Sequence, residues 1–120
     1  MTSALLGIDI GTSGCKALLV SVEGDILASS TATYALSQPR AGWTEQDPAL
    51  WIEGARKAVA SVMAQCPEIE LLCVGLSGQM HGLTPLDEIE KFCVRQSCGT
   101  ISATLLKWRK SQQRLAGWML

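Results

Sequence analysis

The 120-residue chain predicts an α/β fold with the element order β-β-β-α-β. Two observations carry this expectation. Three short apolar segments separated by Gly-rich turns open the chain, and gaps that short join antiparallel neighbours. A stretch of helical periodicity, entered at Asp47-Pro48 and left at Pro67, then leads straight into another apolar run, as in a crossover to a parallel strand.

"ALLGIDI", residues 4–10, is an almost continuous apolar run of strand length, the pattern of a strand covered on both faces. Residues 15–22 form the second strand, aliphatic beyond Lys16, and the brief gap before it implies a hairpin. Glu23-Gly24-Asp25 is a turn, and 26–33 is a third strand whose small alternating residues place it toward the sheet edge. Residues 38–42, rich in Gln, Pro, Arg and Gly, read as a loop. Asp47 is a candidate N-cap, with Pro48 at the first helical position. Trp51, Ala55, Ala58, Val59, Val62 and Cys66 then recur at helical spacing while Glu53, Arg56 and Lys57 fall elsewhere, so 48–65 is an amphipathic helix. Residues 69–76 are the fourth strand, parallel to the first.

Composition excludes several classes. At this length the chain is at most one domain, and its 48% apolar content suits a globular protein. No apolar run approaches the roughly 18 residues of a membrane span, and the start lacks the basic region of a signal peptide, so no membrane partner is expected. The five cysteines (Cys15, Cys66, Cys73, Cys93, Cys98) are odd in number and lack metal-ligand spacing, which points to a reducing, cytoplasmic setting with each thiol a small buried hydrophobe. A net charge of −1 gives no basis for a nucleic-acid partner.

Three strings carry chemistry. "GIDIGTSGCK", residues 7–16, ends a strand on Asp9 and turns on two glycines and two hydroxyls. Glycines with positive φ let successive amides face an anion, so Gly11, Thr12 and Ser13 are candidate phosphate donors and Lys16 reaches toward the same charge. Asp9 repels phosphate directly but can hold the Mg²⁺ that neutralises it. The same string also fits a plain Gly-rich hairpin with Asp9 as a turn residue, and it is no Walker loop, because that spacing is absent. "GLSGQMHG", residues 75–82, follows the fourth strand at the carboxyl end where ligands of open α/β sheets gather; Gln79 and His81 there suit a polyol. Alternatively His81 is an ordinary surface histidine. In "GWTEQDPALW", residues 42–51, Trp43 and Trp51 read as packing residues, and Glu45 and Gln46 are open to either role.

In this order and spacing the three strings resemble the N-terminal end of the FGGY-type carbohydrate kinases, on the xylulokinase side of that family, over residues 4–87. The resemblance implies an incomplete half-domain of the ribonuclease-H-like, actin/hexokinase-type ATPase fold. It also implies ATP with Mg²⁺ as cofactors and phosphorylation of D-xylulose to xylulose 5-phosphate by the intact kinase. Asp9 then matches the metal position, Gly11, Thr12 and Ser13 the phosphate loop, and Met80 with His81 the sugar contacts, beside Gln79. Glycerol-using relatives carry an Asn-Gln-Arg-Glu-like string where this chain has "GQMHG". The family's catalytic aspartate and adenosine-binding lobe have no counterpart here, which implies a chain inactive alone. The alternative is a small non-catalytic binding or regulatory module. Either version leaves apolar surface uncovered and open to self-association.

The chain changes character near Asp87. Residues 1–87 hold four basic and nine acidic side chains, whereas 88–120 hold six and two, together with Trp108 and Trp118. Leu105, Leu106, Leu115 and Met119 add apolar weight with no consistently polar face opposite. The family continues with a string resembling Arg-Pro-Ala-Ile-Leu-Trp-Asn-Asp-x-Arg where this chain has "VRQSCGTISA", residues 94–103. The codons GTC CGG CAA TCC TGT GGA ACG ATC AGC GCA encode that string, and from the third base of the first they read Pro-Ala-Ile-Leu-Trp-Asn-Asp-Gln-Arg. The expectation is a one-base slip within 87–91, an N-terminal kinase segment over 1–87 and an out-of-frame tail over 88–120.

Overall fold

The computed structural model describes residues 1–80, 84 and 96–97. In chain order the elements are β1 (Thr2–Ile10), β2 (Gly14–Ser21), β3 (Ile26–Thr33), β4 (Ser37–Arg40), β5 (Trp43–Gln46), α1 (Pro48–Gln65), β6 (Ile69–Gly78) and β7 (Gln96–Ser97). They belong to two units, one of Met1–Ala35 with Ala49–Gln79, the other of Leu36–Pro48 with the residues from Met80 onward. His81, the boundary at Asp87, Cys93, Cys98 and the apolar positions of the tail lie outside the described residues.

The first unit is a four-stranded sheet in the order β3-β2-β1-β6, with α1 against one face. β1 runs antiparallel to β2 with Leu6 opposite Leu19 and Asp9 opposite Lys16, and parallel to β6 with Asp9 beside Ser77. The predicted order of strands and helix is therefore found, with β3 at the predicted edge. At the β2–β3 turn the Ser21 N–H donates to the Asp25 carbonyl at 2.8 Å, and Gly24 takes φ +100°, a region L side chains avoid. The core is built from Ala4, Leu6, Ala17, Leu19 and Ala28 on the sheet and Ala58 and Val62 on α1. So many alanines bring helix and sheet close. Leu6, Leu19 and Val62 supply most of the bulk, and truncating either leucine to Ala costs about 2–4 kcal/mol.

Three expectations change. β1 is not covered on both faces: Ala4 and Leu6 are buried while Leu5, Gly7 and Asp9 are exposed, because the only helix among the described residues lies on one side. Residues 38–42 are not a loop: β4 and β5 form a hairpin turning at Ala41-Gly42, with Gly42 at φ +75° and Arg40 opposite Trp43. The Arg40 guanidinium lies 5.1 Å from the centre of the Trp43 ring, a cation–π contact that closes the hairpin. Pro39 hid this strand, since proline cannot donate to a ladder and is tolerated only at an edge. β7 adds to β5, Glu45 opposite Ser97, completing a small second sheet. Third, the thiols differ: Cys15 is buried and Cys66 half-buried, but Cys73 is exposed on β6, the edge strand.

α1 begins at Pro48 as predicted, and Glu53 pairs with Lys57 at 2.9 Å one turn on along its exposed side. Gly54 in its interior is costly by about 1 kcal/mol relative to Ala. Its reason is spatial: a Cβ there would lie 3.1 Å from the ring of Tyr34. On β6, Leu72, Val74 and Leu76 are 52%, 50% and 77% exposed, so apolar surface continues past the edge of α1. No helix among the described residues is long and apolar enough to cross a membrane.

Candidate functional site

Strand pairing sets the site. Successive side chains of a strand alternate in direction, so Asp9 points away from the face that Leu6 and Ala4 present to α1. Register then places Thr31, Lys16, Asp9 and Ser77 in one row across β3, β2, β1 and β6. The Ser77 hydroxyl donates to Asp9 Oδ1 at 2.6 Å, which steers an otherwise exposed carboxylate. Ser77 escaped the sequence reading because only the parallel register reveals it.

Between β1 and β2 the four residues 11–14 form a tight turn, the Gly11 N–H donating to the Gly14 carbonyl at 2.9 Å. Two corrections follow for the phosphate loop. Neither Gly11 nor Gly14 has positive φ; their smallness serves close approach instead. A Cβ on Gly14 would sit 2.7 Å from the Ala32 carbonyl oxygen, and one on Gly11 3.2 Å from that of Gly14. The Gly11 amide is also spent within the turn, so it is not part of a nest opened by glycine.

Two residues brace this turn from either side. On the β6 side the Gln79 N–H donates to the Ile10 carbonyl at 2.9 Å, and the Thr12 hydroxyl donates to Gln79 Oε1 at 2.5 Å. On the β3 side the Tyr34 N–H donates to the Ser13 carbonyl at 3.2 Å and its hydroxyl donates to the Gly11 carbonyl. Tyr34 carried no sequence signal, standing alone after an unremarkable edge strand. Gln79 thus touches the predicted phosphate loop as well as adjoining the predicted sugar segment. Met80, next along, is 75% exposed. In the second unit Gln46 is buried and Glu45 half-buried.

The described residues hold no cluster of three His, Cys, Asp or Glu side chains, so no all-protein metal cage exists among them. Asp9 alone still suits Mg²⁺, which keeps several waters and binds through one or two carboxylates plus phosphate oxygens. Beneath the turn, Cys15 is buried; burial first, and then the nearby Asp9 charge, push its thiol pKa up. That keeps it neutral and inert.

A Gly-rich turn after β1, a carboxylate at that strand's end and a parallel strand beside it define one wall of an actin/hexokinase-type ATPase half-domain. The sheet matches solved sugar kinases in fold: the xylulose ("xyloylose") kinase of Brucella ovis superposes with a TM-score of 0.74 and 39% identity over 77% of this chain and 20% of that one. In sequence, a xylulose kinase from Staphylococcus xylosus is 36% identical over 84 residues, 70% of this chain and 17% of the relative. A gluconokinase from Bacillus licheniformis is 36% identical over 91 residues, 76% and 18% of the two chains. The profile of the FGGY family of carbohydrate kinases, N-terminal domain, matches residues 4–114. The chain belongs to this family and spans about a sixth of the length of the curated relatives it matches.

Proposed function

We propose that this chain supplies the metal and phosphate wall of an ATP-dependent sugar kinase, with D-xylulose as the sugar of the intact enzyme. The observation that supports it best is the row of Asp9, Lys16 and Ser77 beside the braced turn at 11–14. Asp9 would hold Mg²⁺ on the exposed sheet face. Thr12 and Ser13 would donate to phosphate oxygens, and Lys16, opposite Asp9, would add positive charge. Mg²⁺ neutralises phosphate charge when bound. Gln79, Met80 and His81 would meet the sugar. The match to gluconokinase as well as xylulose kinases means that the choice of xylulose rests on "GQMHG".

Phosphoryl transfer needs a base, a metal and phosphate donors in one in-line geometry, and here Asp9 is the sole carboxylate in the row. The 120-residue chain therefore binds nucleotide weakly and does not turn over. Purified chain given Mg-ATP and D-xylulose should release no ADP above background; ADP release that Asp9→Asn abolishes would overturn this. A second reading, a non-catalytic module that docks on other chains, draws support from the exposed apolar residues of β6. It predicts a cooperative melt and a stable complex on size exclusion, where a remnant aggregates.

For the tail we propose translation out of frame from residue 88. Matches of 84 and 91 residues to whole kinases are about the length of the segment 1–87, although the family profile itself runs on to 114. The gene sequence tests it directly: a shifted frame reading Pro-Ala-Ile-Leu-Trp-Asn-Asp supports the slip, and its absence ends it.

A further inference from the structure

Tyr34 is the residue that the phosphate-loop reading leaves unexplained. It follows β3, its ring lies against Gly54 of α1, and its hydroxyl crosses to the Gly11 carbonyl at the start of the turn. Cys15, on the same side, also approaches Gly54, with 3.6 Å from its Cβ to a Cβ built there. The tyrosine therefore reaches the turn from the helix side of the sheet, opposite the row of Asp9 and Lys16.

We propose that Tyr34, seated on Gly54, is a positioning residue that aims the Thr12 amide at the anion. The inference rests on the phosphate-loop reading given above. Its physical basis is the planarity of the peptide group: the Gly11 carbonyl and the Thr12 N–H belong to one rigid trans unit and point in opposite directions. A hydroxyl that holds the carbonyl toward α1 thereby turns the N–H toward the opposite face, where Asp9 stands. The Tyr34 N–H repeats the device one step on, since fixing the Ser13 carbonyl at 3.2 Å fixes the Gly14 N–H of the following peptide. Glycine at 11 and 14 brings no Cβ to bias the neighbouring peptides, so an anchor from Tyr34 adds to the hydrogen bond that the turn makes within itself. Gly54 completes the arrangement. Any side chain at 54 would meet the ring at 3.1 Å, so the glycine in mid-helix keeps the seat open for Tyr34.

The test uses the full 120-residue chain, ¹⁵N-labelled, with Mg-ADP as probe. Tyr34→Phe keeps the ring and its packing and removes only the hydroxyl. The expected result is a Thr12 N–H order parameter that falls from the rigid value of about 0.85 to below about 0.6. Mg-ADP affinity should weaken about fivefold or more, with the melting temperature nearly unchanged. A merely structural tyrosine would lower the melting temperature and leave the Thr12 amide rigid up to the melt. Gly54→Ala, which displaces the ring, should loosen the same amide, and the double variant should loosen it no further than either alone. Unchanged Thr12 dynamics and unchanged affinity in Tyr34→Phe overturn the positioning role. If the wild-type chain shows no Mg-ADP shifts while Tyr34→Phe still frees the Thr12 amide, the anchoring stands and it is the phosphate reading that fails.

Discussion

At Gly14 a methyl group would sit 2.7 Å from a backbone oxygen of β3, a contact that no rotamer change relieves. Gly14→Ala should therefore destabilise the chain by about 2 kcal/mol in a urea melt, within the usual range for overpacking. A cost near zero would show that β3 gives way freely. The glycine was legible as part of a motif, but the motif suggested positive φ, whereas the structure uses smallness; only strand pairing distinguishes the two. Asp9 behaved more simply, since a carboxylate ending an apolar strand announces itself. Ser77 and Tyr34 did not, being ordinary residues whose roles arise from register and from a glycine 20 positions away in the helix. The buried Cys15 gives a second prediction. Its thiol pKa is raised by burial and then by Asp9, so the folded state favours the neutral form. The stability from that preference is full below the ordinary thiol pKa of about 8.5 and is lost as pH rises through the higher folded value. Thermal melts of the chain should fall more steeply above that pH than melts of Cys15→Ser. Alkylation at neutral pH should label exposed Cys73 quickly and Cys15 only on unfolding.

Among the elements, those with strong periodicity were readable. α1 was legible from Asp47-Pro48 to its end because an apolar stripe at helical spacing has few other solutions. The β4–β5 hairpin was not, since four-residue strands with a proline carry too little pattern to outweigh a loop composition. β6 was found from its apolar run, and the uncovered apolar surface expected of an incomplete sheet is found on it among the described residues. Its residues Leu72, Val74 and Leu76 are at least half exposed, on the strand that forms an edge of the sheet among the described residues, and unpaired edges recruit further strands. A charge placed there should block that. Leu76→Lys should shift the chain toward monomer on size exclusion while leaving its far-UV spectrum unchanged; identical association of both chains would move the contact elsewhere.

For the molecule as a whole, the family follows from three ordered strings and from a profile match that covers most of the chain, while function depends on how much of a cleft one wall can reproduce. The described wall presents one carboxylate, one lysine and a braced turn. On the proposed reading these would bind an anion through a metal and would not align a hydroxyl for attack. The separation of binding from turnover is the central claim. Its most direct measurement is a Mg-ADP titration of the ¹⁵N-labelled chain, read at the amides of residues 9–14 and repeated without Mg²⁺ and in Asp9→Asn. Saturable shifts at Thr12 and Ser13 are predicted, lost without the metal and weakened at least tenfold in the variant. Shifts that ignore Mg²⁺ and Asp9, or none at these residues, would contradict the account.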